Sequence, residues 1–180
     1  MKDEKYYQEH IASVLDFPKK GINFRDITLT LEDPEAFSNA INDLSEIAKK
    51  YDFNKIMCAD ARGFIFGAPL AFNTKKSLVI ARKPNKLPRP GESFSYSLEY
   101  GDNTLVISEG SISKGDRVLI VDDLLATGGS SIAMMKIAQK LGATPVAALF
   151  YIELIDLKGK DAIKKTAPID VVSLVKYEGE

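Results

Sequence analysis

Apolar and polar positions along this chain follow two periods, one helical and one of short unbroken runs. Tyr7, Ile11, Val14 and Leu15 recur at helical spacing, which predicts a short amphipathic helix ending before Pro18. Phe17 to Gly21 reads as a loop. Asp33-Pro34 sets a capping side chain before a proline suited to the first helical position, so a helix is expected to begin there. Phe37, Ile41, Leu44, Ala48 and Tyr51 then mark its apolar face. From Lys55 onward the pattern alternates. Lys55 to Ala59, Leu78 to Ala81, Thr104 to Ser108, Arg117 to Val121, Val146 to Ile152 and Val171 to Val175 read as strands. Helices are expected from about Gly63 to Phe72 and from Ser130 to Leu141, where Gly142 stops the second. Arg82 to Ser97 is rich in Lys, Arg, Pro, Gly and Ser and reads as a long loop with β character at its end, a length often used for a lid. Short buried strands alternating with helices argue for an α/β protein with a mostly parallel sheet covered on both faces. The N-terminal part fits this alternation poorly and is expected to form a cap.

Composition narrows the chemistry. A chain of 180 residues, 45% hydrophobic and 27% charged, is expected to be one soluble globular domain. Its 24 Lys and Arg against 25 Asp and Glu give a net charge of -1, which offers no global field for nucleic acid or an anionic membrane. Any basic function must be local. The one cysteine, Cys58, excludes an intramolecular disulfide, points to a reducing compartment and is expected to be inert core. The one histidine, His10, reads as a solvated helix residue. Together they cannot build an ordinary zinc site, and histidine-based nucleophilic catalysis is excluded on the same ground. The charged N-terminus is not a signal peptide, and no uncharged stretch approaches the ~18 residues of a membrane helix. A cytoplasmic protein is expected. Its chemistry must rest on carboxylates, cations, backbone amides or a borrowed ion.

One segment carries that chemistry. In Arg117-Val-Leu-Ile-Val-Asp-Asp-Leu-Leu-Ala-Thr-Gly-Gly-Ser130, an apolar strand delivers Asp122 and Asp123 to its C-terminal end, where open parallel sheets place ligands. Ala126, Thr127, Gly128, Gly129 and Ser130 then form a small-residue turn that opens a helix. Consecutive amides in such a turn make an anion nest, and Thr127 and Ser130 add hydroxyls. Without a lysine this is not a nucleoside-triphosphate cradle, nor is it a dinucleotide fingerprint. A lysine-free nest suits a terminal phosphomonoester. The paired carboxylates suit a diol such as the ribose 2′ and 3′ hydroxyls, with magnesium nearby. The residues therefore point to a ribose 5-phosphate site. The plainer alternative, aspartates that cap a turn shaped by glycines, accounts for the types but not for their placement after a buried strand.

The segment resembles the ribosyl-phosphate signature of the type I phosphoribosyltransferases. Three more segments resemble adenine phosphoribosyltransferases in particular. They are Phe17-Pro-Lys-Lys-Gly-Ile-Asn-Phe-Arg-Asp26, Asp60-Ala-Arg-Gly-Phe-Ile-Phe-Gly67, and Arg82-Lys83 with Lys86-Leu87-Pro88 followed by Tyr96-Ser-Leu-Glu-Tyr-Gly101. The matches run in the family's order from about Phe17 to Leu157. Departures are small: Lys20 stands where proline is common, Ser130 where threonine is common, and Asp60 where glutamate is commoner.

The resemblance implies the type I phosphoribosyltransferase fold over residues 1–180, with an N-terminal hood over residues 1–33 and a flexible lid over residues 82–103. It implies magnesium-dependent transfer of the phosphoribosyl group from 5-phosphoribosyl 1-diphosphate to adenine, giving AMP and pyrophosphate, by a homodimer. Asp122, Asp123, the Ala126–Ser130 turn, Ala61, Arg62, Gly63, Arg82, Lys83 and Lys86 would then bind phosphoribosyl diphosphate. Magnesium would be held mainly through substrate. Asn23, Phe24, Arg25 and Leu154 would bind adenine, with backbone groups reading its edge. Glu99 would handle a proton at adenine N7, and Tyr100 and Arg62 would complete the catalytic set. Each has an ordinary alternative: Phe24 as core, the cations as a solvated loop, Glu99 and Tyr100 as strand residues. Another purine phosphoribosyltransferase, or a non-catalytic sensor of phosphoribosyl diphosphate, would share part of this pattern.

Overall fold

In the computed structural model, residues 1–98 and 101–178 are described. The chain opens with a short helix, α1 (Glu4–Gln8), capped by Asp3, whose carboxylate accepts from the Tyr6 amide at 2.9 Å. Strands β1 (Ala12–Leu15) and β2 (Asn23–Asp26) follow and pair antiparallel. The helix expected over Tyr7 to Leu15 is thus corrected. Tyr7 and Ile11 are buried, but Val14 and Leu15 are 41% and 74% exposed on a strand. Their helical spacing linked the end of one element to the middle of the next. The ladder to β2 satisfies this backbone as a helix would have done, so pairing overrides the spacing. His10 is also corrected: its Nδ1 lies 2.8 Å from Tyr6 O and its Nε2 3.4 Å from Asp33 Oδ2, with the ring tilted on Tyr6.

A short helix missed in the sequence, α2 (Thr28–Glu32), runs into α3 (Pro34–Ala48). Asp33 ends the first and caps the second. Its Oδ1 accepts from the amides of Glu35 at 2.8 Å and Ala36 at 3.1 Å, while Pro34 stands where no amide is needed. The alternation then unfolds as β3 (Lys55–Ala59), α4 (Gly63–Thr74), β4 (Ser77–Ala81), β5 (Pro90–Leu98), β6 (Gly101–Ser108), β7 (Arg117–Leu125), α5 (Gly129–Lys140) and β8 (Thr144–Leu154). A 3₁₀ turn (Ile155–Leu157), α6 (Gly159–Thr166) and β9 (Asp170–Tyr177) complete it. The peptide bonds Phe17–Pro18 and Asp60–Ala61 are cis.

The main sheet is five-stranded and parallel, in the order β4-β3-β7-β8-β9, which puts the strand with the acidic pair in the middle. Side chains of β7 alternate between two cores. Leu119 and Val121 pack with Phe66, Leu70 and Tyr151 on one face, where Phe66 stacks on Tyr151 at 5.1 Å. Val118 and Ile120 pack with Met134, Met135 and Ile137 of α5 on the other. Burial on both faces is what an unbroken apolar strand requires.

Much of the stretch expected to be a loop over Arg82 to Ser97 is strand. β5 and β6 form an antiparallel hairpin outside the main sheet, with register Phe94↔Leu105 and Tyr96↔Asn103. Phe94 and Tyr96 turn toward the α5 core while Ser93 and Ser95 alternate with them. That period of two was present in the sequence beneath the Pro, Gly and Lys content that suggested a loop. Among the described residues no helix is long and apolar enough to cross a membrane.

Candidate active site

β7 runs four residues beyond its expected end, so Asp122 and Asp123 lie within the strand. Both are buried. Asp122 Oδ1 accepts from the Asp123 amide at 3.0 Å, and its Oδ2 accepts from Ser130 Oγ at 3.3 Å. Burial pushes the Asp122 carboxyl well above the usual carboxylate range, and the neighbouring Asp123 charge adds to this. Burial raises Asp123 too, while the Arg62 guanidinium pulls it back. Arg62 Nε stands 2.7 Å from Asp123 Oδ2, and that oxygen has no hydrogen-bond partner. The contact is an ion pair out of line for a hydrogen bond. Gly63, next in the chain, opens α4 directly against Asp122.

Arg62 reaches the other way as well. Its guanidinium carbon lies 5.3 Å from the centre of the Phe24 ring, and Phe24 meets Phe17 edge-on at 5.2 Å. A line of contacts thus joins Asp123 in the sheet to the β1–β2 hairpin. Arg62 thus pairs with Asp123 across the sheet and not with Asp60, its near neighbour in the chain. Asp60 instead accepts from Arg82 Nε at 2.9 Å, and Arg82 Nη1 donates to the Lys86 carbonyl at 3.2 Å.

These residues enclose a cleft of about 260 Å3, lined by residues 59–62, Lys83, Tyr96, residues 103–105, residues 122–124 and Ser130. A second hollow of about 180 Å3 adjoins it, lined by Tyr96 and the run from Leu124 to Ser131. Tyr96, Leu124 and Ser130 border both, so the two are neighbours. The turn between β7 and α5 depends on Gly128, whose φ of +85° suits glycine. Of the expected set, Ala61, Arg62, Lys83, Asp122, Asp123 and residues 126–130 line these hollows. Lys86 is exposed and lines neither, and Arg82 is engaged with Asp60.

The residues expected to meet a base lie on β2 and at the end of β8. Phe24 faces Arg62. Arg25 alternates to the other side, where its guanidinium covers the Tyr177 ring at 3.9 Å and donates to Ser13 Oγ. Asn23 Oδ1 and Arg25 Nε are buried without hydrogen-bond partners. Leu154 is partly buried against the core shared with Tyr177 and lines neither hollow. Glu99 and Tyr100 lie outside the described residues.

Tyr96, Asn103 and Thr104 line the cleft, and no site role was read for them in the sequence. The signal for Tyr96 was its alternation with serines. Burial, and next the charge of Asp122, raise its phenol, so it stays a neutral donor at neutral pH. Among the described residues no three His, Cys, Asp or Glu side chains gather as a metal cage. A divalent ion beside Asp122 and Asp123 would take most of its oxygen ligands from a bound molecule.

A phosphoribosyl transferase domain model matches residues 29–175. A curated adenine phosphoribosyltransferase of Lactobacillus gasseri is 48% identical over 173 residues, covering 96% of this chain and 97% of that protein. One from Ruminiclostridium cellulolyticum is 45% identical over 94% of this chain and 98% of that protein. The crystal structure of adenine phosphoribosyltransferase from Thermoanaerobacter pseudethanolicus superposes with a TM-score of 0.90 at 42% identity, covering 96% of this chain and 99% of that one. The Trypanosoma brucei structure, in complex with AMP, pyrophosphate and ribose 5-phosphate, superposes with a TM-score of 0.85 at 25% identity over 96% of this chain and 78% of that one.

Proposed function

The chain belongs to the phosphoribosyltransferases and, among them, to the adenine phosphoribosyltransferases, and from that premise we propose how its own residues serve the transfer of a 5-phosphoribosyl group from phosphoribosyl diphosphate to adenine, giving AMP and pyrophosphate. The observation that carries the reading is the pair of adjoining hollows, one lined by the acidic pair and Arg62 and the other by the glycine turn.

The Ala126–Ser130 turn takes the 5-phosphate through its backbone amides and the hydroxyls of Thr127 and Ser130. Asp122 and Asp123 accept from the ribose hydroxyls, which gives a partner to the buried Asp123 Oδ2 that the fold alone leaves without a hydrogen bond. Arg62 exchanges partners: it holds Asp123 in the free chain and turns to the diphosphate when that arrives, with the residue 61–63 backbone and Lys83 beside it. Arg82, held by Asp60 in the free chain, and the exposed Lys86 reach the same anion only when the segment before the hairpin moves toward the cleft. Asp122 and Asp123 would stand beside a magnesium ion held mainly through the substrate, and such an ion would supply positive charge to offset that of the leaving group. The acidic pair beside an open cleft fits an ion that brings its other ligands with the substrate.

The bond from C1 to the diphosphate oxygen breaks and the bond from C1 to adenine N9 forms. The charge that develops is met by fixed dipoles and cations, so orientation and electrostatics do most of the work. Glu99 handles the proton at adenine N7, and Tyr100 shields the site or positions the phosphoribosyl group. Adenine lies at Phe24, with the backbone of Asn23 and Arg25 reading its edge and Leu154 closing the far side. A 6-oxopurine would leave those groups unpaired. Residues 1–180 act as one unit, with residues 1–33 as the hood and residues 82–103 as the lid. A homodimer is supported by exposed apolar side chains, Phe72 at 84% on α4 and Leu78 at 38% on edge strand β4. The single, buried Cys58 is consistent with work in the cytoplasm.

The test mixes protein, magnesium, phosphoribosyl diphosphate and adenine and follows AMP and pyrophosphate together, with hypoxanthine, guanine and no base in parallel. Equal yields of both products from adenine alone are expected. A preference for a 6-oxopurine would overturn the base assignment.

A further inference from the structure

Behind the glycine turn lies an element that sequence reading did not place. After β8 the chain makes its 3₁₀ turn, Lys158 takes a left-handed φ of 54°, and α6 starts at Gly159. Gly159 meets the glycine turn backbone to backbone. A Cβ there would overlap the Ala126 carbonyl oxygen and lie 2.8 Å from Leu125 Cδ1 and 3.1 Å from Ala126 C. The packing is mutual, since a Cβ on Gly128 would lie 3.0 Å from the Gly159 oxygen and 3.5 Å from Ile163 Cγ1. Ile163, one turn along α6, is buried in the same core as Leu125 and fixes the helix in place.

The contact sets the direction of one peptide. In a trans peptide the carbonyl and the amide point to opposite sides. The Ala126 oxygen faces α6, so the Thr127 amide must face away from it. We infer that Gly159 is a positioning residue for the ligand's 5-phosphate: lacking a side chain, it lets the Ala126 carbonyl turn outward and so aims the Thr127 amide into the anion nest. The inference rests on the Ala126–Ser130 turn being the 5-phosphate subsite. Gly159 touches no substrate in this scheme and acts only through that peptide.

The test titrates ribose 5-phosphate and, separately, pyrophosphate into the wild-type chain, Gly159→Ala and Ile163→Ala, with melting curves for each. In Gly159→Ala the affinity for ribose 5-phosphate should fall about tenfold or more, the cost of one misdirected hydrogen bond to a charged group, while pyrophosphate binding stays within about twofold. Should Gly159→Ala not fold, Ile163→Ala carries the same comparison, because it lets α6 recede without adding atoms. A loss of about threefold, confined to ribose 5-phosphate, is expected there. Unchanged affinity for ribose 5-phosphate, or parallel loss of both ligands with the melting point, would overturn the inference. A wild-type chain that binds pyrophosphate but not ribose 5-phosphate would instead overturn the subsite reading beneath it.

Discussion

Gly63 and Asp122 touch with no space between them for a side chain: a Cβ on Gly63 would stand 2.6 Å from Asp122 Oδ1 and 3.5 Å from the Val121 oxygen. The first turn of α4 therefore sits on the carboxylate of the central strand. In Gly63→Ala, Asp122 must move and loosen its bonds from the Asp123 amide and Ser130 Oγ. The expected result is a fall in kcat/KM for phosphoribosyl diphosphate of at least about tenfold, with a melting point only a few degrees lower. Steady-state kinetics at fixed adenine would read it, and an unaltered kcat/KM would break the proposed link between this contact and the ribose.

Asp122→Asn should separate stability from function. The carboxyl is raised in the folded chain, chiefly by burial, so its ionised form opposes folding. A raised group contributes stability below its unfolded value, and that contribution is lost as the pH climbs through its folded value. At neutral pH the amide should therefore raise stability by about 1 kcal/mol while weakening phosphoribosyl diphosphate binding. The gap between the two melting points should widen as the pH rises above the ordinary carboxylate value of about 4, and a constant gap would contradict the assignment.

Arg62→Lys keeps the charge and loses the planar fork. The Arg62 side chain is 41% exposed, so solvent screens its pair with Asp123 and the stability change should stay below about 1 kcal/mol. Lysine cannot hold a diphosphate in two places at once, and kcat/KM should fall about tenfold or more. Retained activity would reduce Arg62 to a partner for Asp123 and Phe24.

Glu99→Leu bears on the proton. Loss of an acid–base group should lower kcat about a hundredfold while the dissociation constant for phosphoribosyl diphosphate changes little. Single-turnover rates beside equilibrium binding would show the split, and a pure affinity loss would remove Glu99 from the chemistry.

The central sheet was legible because strands such as Lys55–Ala59 are buried on both faces and read as unbroken apolar runs. Asp33-Pro34 was legible because cap chemistry is local. The N-terminal hairpin was not, since Val14 and Leu15 are exposed and their spacing matched a helix by accident. The acidic pair and the glycine turn stood out together in one segment. Their partners did not: Arg62 finds Asp123 across 61 positions, and Tyr96 enters the cleft by a hairpin whose register depends on residues beyond its own run. Distances that close only in three dimensions leave little trace in a single sequence.

Asp33 ends α2 and caps α3 with no residue to spare between them, and its second carboxylate oxygen faces His10. A joint without slack transmits rotation and cannot absorb it. The N-terminal segment therefore behaves as a fixed wall at this point. Insertions between residues 32 and 34 would unseat α3 from the sheet, so any variation in length that the protein tolerates belongs at the hairpin and not here.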